Sequence, residues 1–526
     1  MDTKALRQKV LDLAIRGKLV SQDPNDEPAS VLLERIRQQK QQMVKEGNLK
    51  AKDIKNDTII CVGEDNLHYE KFSDGSVKCI EDEIPFDLPD GWAWSKIGPL
   101  CEYITSGSRG WAQYYSETGI LFLRMGNLSR DSFDLRLDNL QRVNLPDNAE
   151  GTRTRVAEND LLFSITAEIG MLGLIPANFE EAYINQHVGL IRFLKDAQTK
   201  FFPYILMSEF CRDQYYTVQC GMKNSFRLDN IQNILAPVPP LGEQIRIAEK
   251  LSNIWTHIQQ IDIESEAASD IISKAKSKIL DLAIRGQLVP QDPDDEPASV
   301  LLERIRAEKE ELIKQGKLKR DKKESVIFRG EDNSYYEKIG GKVENISDEI
   351  PFELPEGWAW CRGYSCFEGM ESTKPQGDFF DYIDIDAIDN RLHCIKEAKH
   401  LPVSDAPSRA SRAVKDGSVL FSLVRPYLEN IALVEEKHSN CIASTGFYVC
   451  NSNGVLLPEF MFFLMISGYV VNGLNQYMKG DNSPSISKDN IGNWLYPAPP
   501  VGEQQTICAK LKTVFTLVEN VEKSLN

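Results

Sequence analysis

Leu11 to Arg37 reads LDLAIRGKLVSQDPNDEPASVLLERIR, and Leu280 to Arg306 reads LDLAIRGQLVPQDPDDEPASVLLERIR: 24 of 27 positions are identical at an offset of 269. Three more blocks return in the same order. GEDNLHYEK from Gly63 recurs as GEDNSYYEK from Gly330, and DEIPFDLPDGWAW ending at Trp94 as DEIPFELPEGWAW ending at Trp360. PVPPLGEQ from Pro237 recurs as PAPPVGEQ from Pro497. Four matching blocks in one order establish an internal duplication, and every later inference depends on it. Between the blocks the copies diverge, sharing only short signatures: DLLFS (Asp160 to Ser164) with SVLFS (Ser418 to Ser422), and LDNI (Leu228 to Ile231) with KDNI (Lys488 to Ile491). Near-identical helical blocks alternating with divergent stretches imply one shared task for the helices and two different tasks for the domains.

From Glu243 to Arg285 there are 43 residues without proline or glycine, enough for a helix of roughly 65 Å at about 1.5 Å per residue. Ile247, Leu251, Ile254, Ile258, Ile261, Ser265, Ala268, Ile272, Ala275, Ile279 and Leu282 alternate at spacings of four and three. A 3.5-residue period of this length predicts packing along another helix, since a helix lying on a domain surface shows a wider stripe of period 3.6. Ile507, Leu511, Val514, Val518, Val521 and Leu525 repeat the seam, and Leu6, Val10 and Leu13 stand for Ala275, Ile279 and Leu282. By the two offsets, Asn526 corresponds to Glu266 and Met1 to Asp270, so only three residues separate the chain's end from its beginning. The expected arrangement is cyclic. The two termini rebuild the central helix, and the continuous and split helices pair antiparallel about a pseudo-twofold axis. A second helix in each copy is expected from DEPAS, with Asp26 or Glu27 (Asp295 or Glu296) ahead of a first-turn Pro28 or Pro297, to a left-handed stop at Gly47 or Gly316.

The fold class expected is α+β: two globular mixed domains separated by a long antiparallel helical coiled-coil spacer. The divisions are N-terminal helices at 1–46, a connecting segment at 47–91, a first divergent domain at 92–242, and a central helical region at 243–325. A second connecting segment at 326–357, a second divergent domain at 358–502 and a C-terminal helix at 503–526 complete the chain. Short β-rich runs (GILFLRM, DLLFSIT, GSVLFSLV) alternate with helical stretches such as Pro203 to Tyr216.

Chemistry of its own is not encoded. There is no GxxxxGK[ST] phosphate loop and no [ND]PP[FYW] tetrapeptide; both PP pairs belong to PxPPxGEQ. Eleven cysteines lack CxxC spacing and six histidines lack HxxxH or HExxH pairing, which reads as reduced thiols in a cytoplasm and as no metal site. No run of 18 apolar residues is present, so no membrane association is expected. The Trp92/Trp94 and Trp358/Trp360 pairs read as strand-start core residues, and Asp381 to Asp389 (DYIDIDAID) as a strand with one polar face.

The alternation of divergent domains with duplicated helices, the PxPPxGEQ motif and the LDLAIRGxLV repeat together resemble the specificity (S) subunits of type I restriction–modification systems, the HsdS family. The resemblance covers essentially the whole chain. It implies that each divergent domain is a target-recognition domain reading one half of a split double-stranded DNA site. It also implies that the helices space the domains and dock two methyltransferase (M) subunits, with restriction (R) subunits joining through that core. S-adenosylmethionine, ATP and Mg are then expected on the partner subunits and no cofactor on this chain. Base readout needs donors and acceptors on loops. Candidates are Arg124 and Asn127 (LRMGNL), Arg153 and Arg155 (TRTR), and Lys223, Asn224 and Arg227 (MKNSFR) in the first domain. In the second they are Arg425 and Tyr427 (LVRPYL), and Lys479, Asn482 and Ser485 (KGDNSPS). The net charge of −17 opposes the simplest picture of a nucleic-acid binder and favours the competing reading, a coiled-coil scaffold whose heads bind proteins.

Overall fold

The computed structural model describes residues 2–107, 109–146, 154–217, 226–317, 320 and 322–525. It divides into two compact units, Met1–Glu264 and Ser265–Asn526. No helix among the described residues is long and apolar enough to cross a membrane.

In the first unit, helix α1 (Thr3–Ile15) is capped by Asp2, whose carboxylate accepts the Ala5 N–H, and α2 is Ala29–Lys45. The long helix α3 spans Leu241–Ile284. The segment expected only to connect holds a three-stranded antiparallel meander, Ile59–Val62, His68–Lys71 and Val77–Cys79. Its strands are too short and too exposed to carry a clear period, so the pattern does not announce them. The divergent domain opens on strand Ala93–Lys96, which pairs antiparallel with the closing strand Leu235–Val238, Ala93 opposite Val238. The first and last strands of the domain therefore lie side by side. Between them, Leu172–Leu174, Leu161–Ser164, Val188–Phe193 and Cys101–Ser106 form one antiparallel sheet. A second sheet holds the parallel pair Ile120–Leu123 and Ala182–Ile184. The helical stretch read as continuous from Pro203 is two helices, Phe201–Leu206 and Glu209–Thr217, broken at Ser208, whose hydroxyl bonds the Ile205 carbonyl.

The second unit repeats this plan. Helix α4 is Ala298–Lys314 and α5 is Val501–Leu525. The meander is Ser325–Arg329, Tyr335–Ile339 and Lys342–Asn345. Strand Ala359–Arg362 pairs antiparallel with Leu495–Ala498, Ala359 opposite Ala498. Two larger sheets of the domain are built on Phe379–Ile383 with Ile442–Ser444 and on Val419–Ser422 with Phe447–Cys450, and Ile388–Asp389 pairs with Cys394–Ile395.

Three of the four repeated blocks converge on one junction in each unit, and the fourth lies in the meander. The Trp92 indole N–H donates to the Glu243 carboxylate at 2.9 Å, and Trp358 to Glu503 at 2.8 Å, both buried. Gly17, at φ +63°, lies against Pro89 and Trp92, where a Cβ would fall 2.4 Å from the proline ring; Gly286 meets Pro355 identically at 2.4 Å. Gly242 packs so closely on Asp26 that a Cβ would sit 2.4 Å from its carboxylate, and Gly502 stands likewise to Asp295 at 2.3 Å. Arg16 lies over the Phe86 ring and Arg285 over Phe352. The next residue of the motif, fully buried Gln244, donates to the Pro239 carbonyl and accepts from Thr199; Gln504 donates to Val455 and Pro499 and accepts the Leu457 N–H. Lys96 pairs with buried Glu70, and Arg362 with Glu337, tying each meander to its domain.

Within the first unit, Arg7 pairs with Asp262 at 2.7 Å, while Gly17 at the other end of α1 adjoins the tryptophan bonded to Glu243. α1 thus runs opposite to the first part of α3. Within the second unit, Lys276 pairs with Glu522 and Gly286 adjoins the tryptophan bonded to Glu503, so α5 runs opposite to the last part of α3. The seam residues are not equally buried. Ile247, Leu251, Ile258, Ile507, Leu511 and Val10 are buried, whereas Leu6, Ile254, Ile261, Ile272, Ile279, Val514 and Val518 are half-buried. Val521 is 54% exposed, off the buried face, and the side chain of Leu525 lies outside the described residues. At the ends nearest the domains, Leu11, Ala14, Ile15 and Leu280, Ala283, Ile284 are buried and Leu13 and Leu282 only half so. There the helices pack on domain cores, not on a single helix, and the wider stripe of an ordinary helix takes over. Pro28 and Pro297 are corrected outward by one position: each is the N-cap residue, not in the first turn. Asp26, expected as part of the α2 start signal, pairs instead with Arg246. Gly47 and Gly316 have φ of +77° and +72°, as left-handed stops require.

Trp92→Phe keeps the ring and removes the donor, leaving Glu243 buried without it; a loss of about 1–3 kcal/mol is expected in urea unfolding of the full chain. Burial pushes the carboxyls of Glu243 and Glu503 above the ordinary glutamate value of 4.5. The folded state therefore holds these protons more tightly than the unfolded one, and stability falls as pH rises from 4.5 through the folded values. Glu243→Gln, which keeps an acceptor for the indole, should flatten that fall; unfolding midpoints measured across the window check it.

Candidate nucleic-acid interface

In the first domain the parallel strands Ile120–Leu123 and Ala182–Ile184 end in register, Leu123 opposite Ile184. Their C-terminal ends deliver Arg124 and Asn185 to the wall of a cleft of about 360 Å³, lined also by Met125, Gly126, Asn127, Asn139 and His187. Asn127 is not free to read anything. It is 2% exposed, its carbonyl accepts the Arg124 N–H at 2.9 Å, and its amide donates to the carbonyls of Arg136 and Asn139. It is a loop brace, and the expectation that it reads bases is corrected. Arg155 is engaged with Glu181 at 3.2 Å instead of lining the cleft. Arg227 is exposed at the N-cap of the helix Leu228–Gln232. Arg153, Lys223 and Asn224 lie outside the described residues.

Four cleft and rim residues escaped the sequence reading. Asn185 accepts the His187 N–H at 3.1 Å, and the His187 ring is held between Thr166 Oγ1 at 2.9 Å and the Gln186 amide at 3.1 Å. The available signal was the polar triplet Asn185–Gln186–His187 between two apolar strands, AYI and VGLIRF.

In the second domain the five candidates come together. Arg425 takes a left-handed conformation at φ +48°; its N–H donates to the Pro484 carbonyl at 2.7 Å and its guanidinium to the Asn482 carbonyl at 3.0 Å. Ser485 bridges to Val424 and to Lys479, so loops 423–429 and 479–485 form one surface carrying Arg425, Tyr427, Lys479, Asn482 and Ser485. Tyr427 is 46% exposed. Among the described residues, Arg124, Arg227, Arg425 and Lys479 form no ion pair, although carboxylates outnumber cations by 78 to 61 in the chain. Unpaired cations on loops of an acidic protein are groups left available to an external anion.

The cores beneath these loops differ in chemistry. The DLLFS strand begins with Asp160, 1% exposed, held by two guanidinium bonds from Arg192 at 2.6 and 2.7 Å and by the Ala157 N–H. Burial pushes its carboxyl up, against the bonds from Arg192. At the matching place in the second domain, Ser418 accepts the Lys415 N–H and donates to Asn451, a neutral pair. The aspartates of 381–389 are absorbed locally: Asp381 by His400, Asp386 by Lys399, and Asp384 and Asp389 by backbone N–H groups. Among the described residues no group of three His, Cys, Asp or Glu side chains is placed to hold a metal ion. Trp92, Trp94, Trp358 and Trp360 are all buried.

Residues 89–268 match the family described as type I restriction modification DNA specificity domain. The EcoEI specificity subunit of Escherichia coli is 27% identical, over 99% of this chain and 90% of its own length. The EcoAI specificity subunit of Escherichia coli is 26% identical, over 97% and 88%. A solved chain, described as part of the structural basis of complex assembly and conformational transition of the type I R-M system, superposes on 84% of this chain and 94% of its own, with a TM-score of 0.52 at 15% identity; that likeness shows a shared fold. Residues 89–268 thus match a type I restriction modification DNA specificity domain, and nearly the whole chain is similar to specificity subunits of type I restriction enzymes.

Two substitutions separate brace from free cation. Asn127→Ala, which strips three hydrogen bonds from a buried loop, is expected to lower stability by about 1–3 kcal/mol. Arg124→Ala should stay within about 0.5 kcal/mol of the parent chain. Urea or thermal melts of both variants read the difference directly.

Proposed function

We propose that the chain reads a bipartite, asymmetric double-stranded DNA site, one half-site per target-recognition domain (92–242 and 358–502). It would thereby direct adenine methylation and restriction by its partner subunits. The observation that carries this reading is the pairing of shared and divergent parts. Two divergent domains, each closed by the same repeated strand ladder, present unpaired cations on loops and are joined by duplicated helices. Supporting a spacer of coiled-coil kind, α1 runs opposite to the first part of α3 in one unit and α5 opposite to the last part in the other. In this reading the two helical pairs form one antiparallel spacer with a pseudo-twofold axis, and half-sites lie about one turn of DNA apart. Two methyltransferase subunits dock on the spacer and restriction subunits join through them. The flipped adenine, S-adenosylmethionine, ATP and Mg belong to those subunits. The complex acts in the cytoplasm.

Methylome sequencing of cells with and without the chain tests this: a split adenine-methylated motif should vanish on its loss. If none does, the protein-binding scaffold, which the net charge of −17 favours, becomes the better reading. Exchanging residues 91–239 for another subunit's domain should change one half-site only. Inserting one heptad in α3 should change the gap and neither half-site.

A further inference from the structure

The two domains share one loop frame. The Ile165 N–H donates to the His187 carbonyl at 3.0 Å, as the Leu423 N–H donates to Gly446 at 2.8 Å. Asn185 caps the turn by accepting the His187 N–H, as Ser444 accepts that of Gly446. The Phe226 N–H reaches Ile165 at 2.9 Å and the Ile486 N–H reaches Leu423 at 2.9 Å. Two residues beyond Ile165 and Leu423 stand Ala167 and Arg425, both left-handed at φ +57° and +48°. His187 therefore takes the place of Gly446, and Ala167 the place of Arg425. Where one loop is stripped to a small residue, the facing loop carries the polar side chain.

We propose that Gln186, held in place by His187, in the first domain and Arg425 in the second select the bases of the two half-sites. This rests on the DNA-reading function above. A left-handed backbone is costly for a residue as large as arginine and free for glycine, so something other than the fold keeps arginine there. Its guanidinium is positioned by one bond to Asn482 and forms no ion pair among the described residues, leaving donors whose fork matches O6 and N7 of guanine. In the first domain the Gln186 amide donates to His187 Nε2, which puts the ring proton on Nδ1 and gives it to Thr166. The Gln186 carbonyl and second N–H remain, the pair that suits N6 and N7 of adenine.

The test uses the full chain produced with its methyltransferase partner in a methylation-free host. Single-molecule sequencing reads the methylated motif, and binding to a panel of duplexes substituted at each base pair measures discrimination. Arg425→Gly keeps the backbone conformation while removing the guanidinium. It should cost about tenfold or more in discrimination at one base pair of one half-site and leave the other half-site intact. Gln186→Ala should do the same in the other half-site. An unchanged split motif in both variants overturns this assignment and leaves the DNA-reading function standing. Uniformly weaker binding with full discrimination kept also overturns it. If the parent chain directs no split motif, both fall together.

Discussion

The hydrogen bond from a buried indole to a buried glutamate, made once in each unit, ties the rest of the structure together. Trp92 and Glu243 stand 151 residues apart, at the start of a divergent domain and the start of the helix that follows it. Each bond ties the start of a helix to the start of a domain, and breaking it would leave a buried carboxylate oxygen without its donor. The glycines at 17 and 242, and their equivalents at 286 and 502, let two further chain segments approach that bond to van der Waals contact. What look in the sequence like separate repeated motifs are, for three of the four, parts of one three-dimensional joint, made twice.

That joint explains why the duplication was legible and why parts of the domains were not. The repeated blocks are repeated because each is constrained by the others, and constraints of that kind leave identical letters at a fixed offset. Helical stretches without proline or glycine showed their extent to within a few residues. The meanders at 59–79 and 325–345 were missed because their strands are three to five residues long and largely exposed, which leaves no period to read. The heptad seam named the buried positions in the first part of the long helix, Ile247, Leu251 and Ile258, and failed toward its end, where Leu280 displaces Leu282 (as Leu11 displaces Leu13 in α1) because the packing partner there is a domain core.

Candidate recognition residues were harder still. Asn127 has the right chemistry to read a base and spends all of it on its own loop, a fact that only the folded geometry reveals. Arg425 belongs to one motif and Asn482 and Ser485 to another, and they share a surface because a bridge between two loops distant in sequence brings them together. Gln186 and His187 were overlooked because a polar triplet between strands is also what an ordinary turn looks like.

The ladder between the first and last strands of each domain has a further consequence. Ala93 lies opposite Val238, and Ala359 opposite Ala498, so each domain leaves the chain and returns to it at adjacent points. Nothing inside the domain then enters the path between the flanking helices. Residues gained or lost there lengthen a closed excursion, at an entropic cost of only about 0.6 kcal/mol for each doubling of a flexible loop. Head size and helix spacing are in this way mechanically independent variables, each free to drift without disturbing the other.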